Sequence, residues 1–442
     1  MQMTEPQARA EVVGPICESA DSFGRHLLPV GTREDDLLLM ADAGAYGHVM
    51  SSWYNMREPA REHFLRRANK FTHYYPLYIL GFVSTRWQMK FTRFTAAVTR
   101  FLLWLITPTR NGRVKYSNGK FDGVPVVVYQ PVGPHRKNDG AVVFMHGGGH
   151  VMLDSAFFHS FLHEISKRLG SVVVSIDYRL APEHPYPAGL NDCEKATAHF
   201  LRHCHERYDV SPGKVVVMGD SAGGNLTAST CLRLNRRKDL PGTIRLQVLI
   251  YPSMQAVETR GPSYQQYDRC YPGTAMLQPE YVSRWRLHYL LGYEVTRQDV
   301  QDFMNNLHIT VAARKRDEFK YVSHDRIPVD FCHPSVYRRP THLPGKPRLF
   351  ERVERAIFDP DFCPLFASDD ELKRLPLALV ITAGCDVIRD DGIWFVRRIE
   401  EVKGQVEWRH YPKACHGVIS LGFSDSSRQM RTDIVEFIRP YF

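Results

Sequence analysis

No C-x-x-C pair, no dense basic tract and no apolar run long enough to cross a bilayer occur in this chain of 442 residues. Its nine cysteines are an odd number without paired spacing, which argues against a disulfide scaffold and against a zinc site. His199 and His203 stand one helical turn apart and His205 follows, but no third-ligand pattern or carboxylate cluster accompanies them, so no metal is expected. The longest stretch free of Asp, Glu, Lys and Arg, Phe71 to Thr85, contains His73 and falls short of the roughly 20 residues that a membrane-spanning helix needs. Met1 to Ala20 is polar and carries acidic residues, without the apolar centre of a signal peptide. The net charge of +9 comes with no nucleic-acid motif, so no nucleic-acid partner is expected. It implies a basic surface, with attraction to anionic membrane as the sharper alternative. The single N-x-[ST] sequon, Asn225-Leu226-Thr227, falls inside a predicted helix, and a buried asparagine is a poor glycan acceptor. Unpaired thiols and no usable sequon lean towards a cytoplasmic protein. Internal repeats and low-complexity tracts are also missing.

What is present is chemistry at strand ends. The β-branched run Lys214 to Met218 stops at Gly219-Asp220-Ser221-Ala222-Gly223 and continues as a helical pattern to Leu234. A G-x-S-x-G turn between strand and helix reads as a nucleophile elbow: glycines flank a turn too tight for side chains, and the Ser221 hydroxyl points into a cleft. Upstream, His146-Gly147-Gly148-Gly149 directly follows the strand Ala141 to Met145. A glycine run there exposes backbone N–H groups, and an oxyanion hole needs such donors about 3 Å from the oxygen that becomes negative. No G-K-[ST] follows, which weakens a phosphate-loop reading. The expected donors are the amides of Gly148, Gly149 and Ala222.

A nucleophilic serine needs a base, and the base needs an orienting acid. Asp386 follows the apolar strand Leu375 to Ala383, and His416 follows the alternating run Gln405 to Tyr411. Both come after Ser221, in the order Ser, Asp, His. Asp390 and Asp391 are rivals for the acid, read instead as charges near the start of a helix, where the macrodipole favours carboxylates.

The strands expected are Val124 to Gln130, Ala141 to Met145, Ser171 to Tyr178, Lys214 to Met218, Arg245 to Tyr251, Leu375 to Ala383 and Gln405 to Tyr411. Helical stretches separate most of them, as in a largely parallel α/β sheet with an antiparallel start. The expected organisation is a helical N-terminal cap region over 1–110 with its first thirty residues disordered, a first core part over 111–252, a cap insertion over 253–360 and a second core part over 361–442. Within the first region Arg86, Lys90, Arg93 and Arg100 share one helical face, and Trp87, Phe91, Phe94, Val98, Phe101 and Leu105 fill the other. A cap helix packed on the body is favoured over a helix lying on a membrane surface. The loop from Asp177 through Pro182, Pro185 and Pro187 reads as structural, with Arg179 paired to a buried carboxylate, rather than as a source of catalytic Glu183 or His184.

Three segments, His146-Gly147-Gly148-Gly149, Asp177 through Ala188 and Gly219 through Gly224, resemble the hormone-sensitive lipase family of α/β-hydrolases. Asp386 through Gly392, with Pro364-Leu365-Phe366-Ala367 before it, resembles its arylacetamide deacetylase and neutral cholesterol ester hydrolase branch. The likeness spans residues 110 to 440. It implies an α/β-hydrolase fold and a serine carboxylesterase, deacetylase or lipase that needs no cofactor and acts on a small-molecule or lipid ester. Three departures stand out: His150 and Val418 occupy places where the family usually has aromatics, and the branch's amino-terminal membrane anchor is not visible. His150 is expected at the mouth of the site as a partly charged wall, and Val418 as a second pocket candidate. Short-to-medium acyl esters are therefore expected, with any membrane contact, at the endoplasmic reticulum or a lipid droplet, peripheral. A non-catalytic small-ligand receptor on the same fold is the alternative; plant gibberellin receptors of this kind lack the histidine that His416 supplies. The sequence leaves the oligomeric state open.

Overall fold

The computed structural model describes residues 7–13 and 22–29 as backbone, residues 90, 93–98 and 100, and residues 112–270, 277–332, 334–341 and 343–442. The chain divides into two units, Met1–Ala68 and Asn69–Phe442. In the first, strand β1 (Gln7–Val13) pairs antiparallel with β2 (Ser22–Pro29). This departs from the expectation of disorder over the first thirty residues, while residues 93–98 further along the expected cap region are helical. Gly14-Pro15 is a chain breaker between two runs with apolar residues, and it marks a strand pair. Most of the expected amphipathic helix, including Arg86, Trp87, Phe91, Phe101 and Leu105, lies outside the described residues.

The second unit is built on eight strands: β3 (Val114–Phe121), β4 (Val124–Pro131), β5 (Ala141–Met145), β6 (Val172–Ile176), β7 (Val215–Asp220), β8 (Ile244–Ile250), β9 (Leu377–Cys385) and β10 (Val406–Cys415). Helix α1 (His159–Leu169) joins β5 to β6, α2 (Ala188–Tyr208) joins β6 to β7, and α3 (Ala222–Asn235) follows β7. Between β8 and β9 lie α4 (Pro262–Cys270), α5 (Pro279–Leu291), α6 (Arg297–Met304), α7 (Pro347–Ile357) and α8 (Asp369–Lys373). Helix α9 (Arg389–Glu401) and, after β10, α10 (Asp425–Ile438) complete it. The sheet order is β10-β9-β8-β7-β5-β6-β4-β3. The β3–β4 and β4–β6 pairs are antiparallel and the others parallel.

All seven expected strands are present, and β3 is an addition. Only its end residues, Val114 and Phe121, are buried. An edge strand with polar residues on both faces leaves no alternating pattern to read.

Strand residues alternate between two cores, as the pleat requires. Val142 and Phe144 face α1 and α10, whereas Ala141, Val143 and Met145 face α2, α3 and α9. Each fully buried valine, leucine or phenylalanine contributes roughly 1.5–3 kcal/mol of transfer free energy. A sheet covered on both faces leaves its carboxyl edge as the place where loops can gather side chains. Following β5, the chain places β6 on one side of it and β7 on the other, and such a divergence opens a crevice at the strand ends. Met145 and Gly219, the last residue of β5 and a residue near the end of β7, are register partners, so the two glycine motifs start side by side.

The segment between β8 and β9 is tied to the core by a buried ion pair. Arg286 of α5 meets Asp391 of α9 at 2.7 Å, and both are enclosed. Burying two charges is costly unless every lone pair and proton is used. Tyr264 and Ser253 take further Arg286 protons, while Gln255 and the Met254 N–H bond the Asp391 carboxylate.

Candidate active site

Ser221 sits between β7 and α3 with φ 55° and ψ −120°, a strained conformation for a residue with a side chain. Neighbours hold it there. Its N–H donates to the Ile250 carbonyl at 2.8 Å, and its own carbonyl accepts from Asn225 and Ser253. A side chain at Gly219 would strike the Gly223 carbonyl, and one at Gly223 would strike the end of β5. The motif's glycines are therefore required by close approach.

The Ser221 hydroxyl lies 2.8 Å from His416 Nε2, and His416 Nδ1 lies 2.9 Å from Asp386 Oδ2. Asp386 is buried and its other oxygen accepts the Ile388 N–H at 3.0 Å, which fixes the carboxylate against the ring. The Tyr251 ring packs 4.7 Å from the imidazole. Sequence reasoning passed over this tyrosine, since nothing but its place after β8 marks it. The rivals are engaged elsewhere. Asp391 pairs with Arg286, and Asp390 accepts from Arg389 and from the Ser263 N–H.

Gly148 and Gly149 adopt φ of 109° and 62°, in the region that favours glycine. Among the described residues, no acceptor takes the N–H groups of Gly148, Gly149 or Ala222. His146 Nδ1 reaches the Gly147 carbonyl at 2.8 Å, and its ring stacks on Tyr178. Burial lowers its basicity, so the neutral imidazole donates through that nitrogen. The Gly147 N–H donates to Asp220 at 2.7 Å, which ties the glycine loop to the residue before Ser221. Asp220 stood inside the quoted motif, but its partner is 73 residues away and only the sheet register brings them together.

His150 departs from expectation. It is buried, stacked on Tyr289 of α5 at 3.8 Å between centroids and 3° between planes. Burial, then the nearby Arg286 charge, push its pKa down to about 3, so it is neutral and not a charged wall. Its φ of 63° lies in the left-handed region that favours glycine, and the stack on Tyr289 accompanies it. Trp285, one turn before Tyr289, covers Gly149 so closely that a β-carbon there would meet Cε3 at 2.5 Å. Trp285 also packs against the cluster that contains Val387 and Ile388 and stacks on Tyr281. It thus bridges the glycine loop and the loop that follows Asp386. Val418 is buried in the core on the α1 and α10 face.

The other sequence candidates resolve as packing. Arg179 pairs with the mostly buried Asp192 at 2.8 Å, and His199 bonds Asp122. Among the described residues no group of three or more His, Cys, Asp or Glu could hold a metal ion. Residues 93–98 are helical, and Arg93 donates to the carbonyls of Val151 and Ala181 and to the Glu183 carboxylate. Arg100 pairs with Asp154 at 2.7 Å. Arg93 and Arg100 are thus turned to the enzyme body, while Phe94 and Val98 remain 63% and 42% exposed. Among the described residues no helix is long and apolar enough to cross a membrane.

The profile of the α/β hydrolase fold matches residues 142–313 and 348–420, more than half of the chain. Mouse (Mus musculus) arylacetamide deacetylase is 31% identical over 336 residues, covering 75% of this chain and 82% of that protein. Neutral cholesterol ester hydrolase 1 of Bos taurus is 30% identical over 313 residues, covering 70% and 74%. The esterase of the archaeon Pyrobaculum calidifontis has the same fold, with a TM-score of 0.58, 24% identity, and 80% and 93% of the two chains covered. Fold and likeness together define a serine hydrolase of carboxylic esters. The chain belongs to the hormone-sensitive lipase family of α/β-hydrolases, in the branch of arylacetamide deacetylase and neutral cholesterol ester hydrolase.

Proposed function

We propose that Ser221 attacks the ester carbonyl while His416 removes its proton, and that the acyl group is carried on Ser221 until water releases it. The observation that carries this reading is the chain of hydrogen bonds from Ser221 Oγ through the imidazole to Asp386, at 2.8 and 2.9 Å. Asp386 fixes the tautomer in which Nε2 is free to accept, and stabilises the imidazolium that forms. The amides of Gly148, Gly149 and Ala222 stabilise the tetrahedral oxyanion, and the histidine then protonates the leaving alcohol and later activates water. No cofactor enters any step.

The substrate proposed is a short-to-medium acyl ester of a small molecule or lipid, since the bulky Trp285 stands over the glycine loop. Esters are preferred to amides because an alkoxide leaves more readily than an amide anion. The relatives' names, a deacetylase and a sterol ester hydrolase, support the ester class and leave the alcohol part open. Peripheral contact of a cytoplasmic enzyme with an endoplasmic-reticulum or lipid-droplet surface is proposed through Phe94 and Val98. The receptor alternative is disfavoured by the His416–Ser221 hydrogen bond, which a binding site would not need. Hydrolysis rates over an ester series from acetyl to long acyl, with Ser221→Ala as control, test the proposal. Loss on the order of 10³-fold or more in the variant is expected. Binding without hydrolysis of any ester would favour the receptor.

A further inference from the structure

Cys385 and Cys415 are the last register partners of the parallel pair β9–β10. Cys385 immediately precedes Asp386, and Cys415 immediately precedes His416. We propose that these two thiols form a reversible disulfide that switches the enzyme off by displacing its acid and its base. The activity part of this inference rests on the proposed roles of Asp386 and His416.

Register partners on neighbouring parallel strands project to the same face, and strands lie about 4.7–4.9 Å apart, inside the roughly 4.4–6.8 Å between α-carbons that a disulfide tolerates. Both cysteines are partly exposed, whereas Cys193, Cys204, Cys231 and Cys363 are buried. The Cys415 thiol is held above its usual range by burial first, then by the neighbouring Cys385 and Asp386, so the two side chains feel one another. Oxidation through the thiolate therefore accelerates as pH rises.

Bond formation has a mechanical consequence. A disulfide draws its β-carbons to about 3.5–4.5 Å, closer than strand spacing leaves them, so the strand ends must move together. The region can yield. Between the partners Tyr411–Ala383 and Cys415–Cys385 one strand advances four residues and the other two, a bulge in which Pro412 and Lys413 are exposed. Asp386 and His416 are the first residues after β9 and β10, and their 2.9 Å hydrogen bond takes up the displacement.

The chemistry balances with a peroxide. One thiolate attacks peroxide oxygen, breaking the O–O bond and leaving a sulfenic acid and hydroxide. The second thiolate attacks that sulfur, forming the S–S bond and expelling hydroxide. Two electrons leave the sulfurs and one hydrogen peroxide becomes two waters; a dithiol reverses the step.

The test treats the full-length enzyme with hydrogen peroxide and follows ester hydrolysis alongside peptide mass spectrometry without reduction. The expected result is a Cys385–Cys415 linked peptide that rises as activity falls by about 10²-fold, the scale of an ångström-sized misplacement. Dithiothreitol should restore both, and Cys385→Ser and Cys415→Ser should resist peroxide. If the serine variants fail to fold, the linked peptide and its reversal in the unmodified enzyme still decide. Absence of the linked peptide overturns the proposal, as does complete linkage with full activity. Because linkage is read by mass, failure of the catalytic assignment, seen as no Ser221 labelling by a fluorophosphonate in reduced enzyme, stays distinguishable.

Discussion

Asp220 accepts the Gly147 N–H at 2.7 Å, so the residue before Ser221 holds the glycine loop whose amides are proposed as oxyanion donors. Both motifs are local in sequence; the β5–β7 register sets them side by side, and this contact ties their loops together.

Asp220→Ala should leave a buried N–H without an acceptor, a cost of about 1–3 kcal/mol, and should lower kcat more than it changes KM. Asp220→Asn keeps a carbonyl oxygen for Gly147 and should recover much of the loss. Steady-state kinetics of the two variants check this; equal damage from both would mean that charge, not the hydrogen bond, matters.

Burial raises the Asp220 pKa from its usual value to about 7. Between the unfolded value near 3.8 and about 7 the folded protein binds a proton that the unfolded chain lacks. This group's contribution to stability is therefore greatest at low pH and falls as pH rises through that window. Asp220→Asn should remove that slope, so the variant gains stability relative to the parent from pH 4 to pH 7, as read by denaturant unfolding. A constant difference would contradict the assignment.

Asp386→Asn should cost around 10⁴-fold in turnover through the wrong histidine tautomer, with the fold retained. Asp391→Asn should act on stability, because it strips the buried Arg286 of its partner, at about 3–5 kcal/mol. Melting temperature and kcat measured on both variants separate the effects. A folded, inactive Asp391→Asn enzyme would move the acid assignment.

Replacing His150 by Phe should change acyl preference little, since the ring is packed on Tyr289, while Trp285→Ala should raise the ratio of long-chain to short-chain hydrolysis. An ester series on both variants checks the contrast. A large shift from His150→Phe alone would return that residue to the pocket wall.

With Arg93 and Arg100 engaged in ion pairs, contact with a lipid surface should fall to Phe94 and Val98. Liposome flotation should then depend weakly on anionic lipid and be reduced by Phe94→Asp. Binding that needs anionic lipid and survives that change would contradict this face.

The inner strands were legible because they are buried on both faces and read as apolar runs, and the half-buried edge strand β10 because it alternates; the proposed catalytic residues stand just past these runs. Strand β3 was not, since its edge residues are polar. The setting of His150 also escaped the sequence: a stack on Tyr289 depends on how α5 lies over the core, which no local pattern encodes. Trp285 and Tyr289 stand one turn apart on α5, but that spacing does not say what they cover.

The most direct test is to catch the acyl-enzyme. The enzyme is mixed with p-nitrophenyl acetate, quenched in acid during turnover, digested and read by peptide mass spectrometry. The account predicts an acetyl group on Ser221, and none on that peptide in Ser221→Ala. Steady hydrolysis with the acetyl group on another residue, or undiminished hydrolysis by Ser221→Ala, would contradict it.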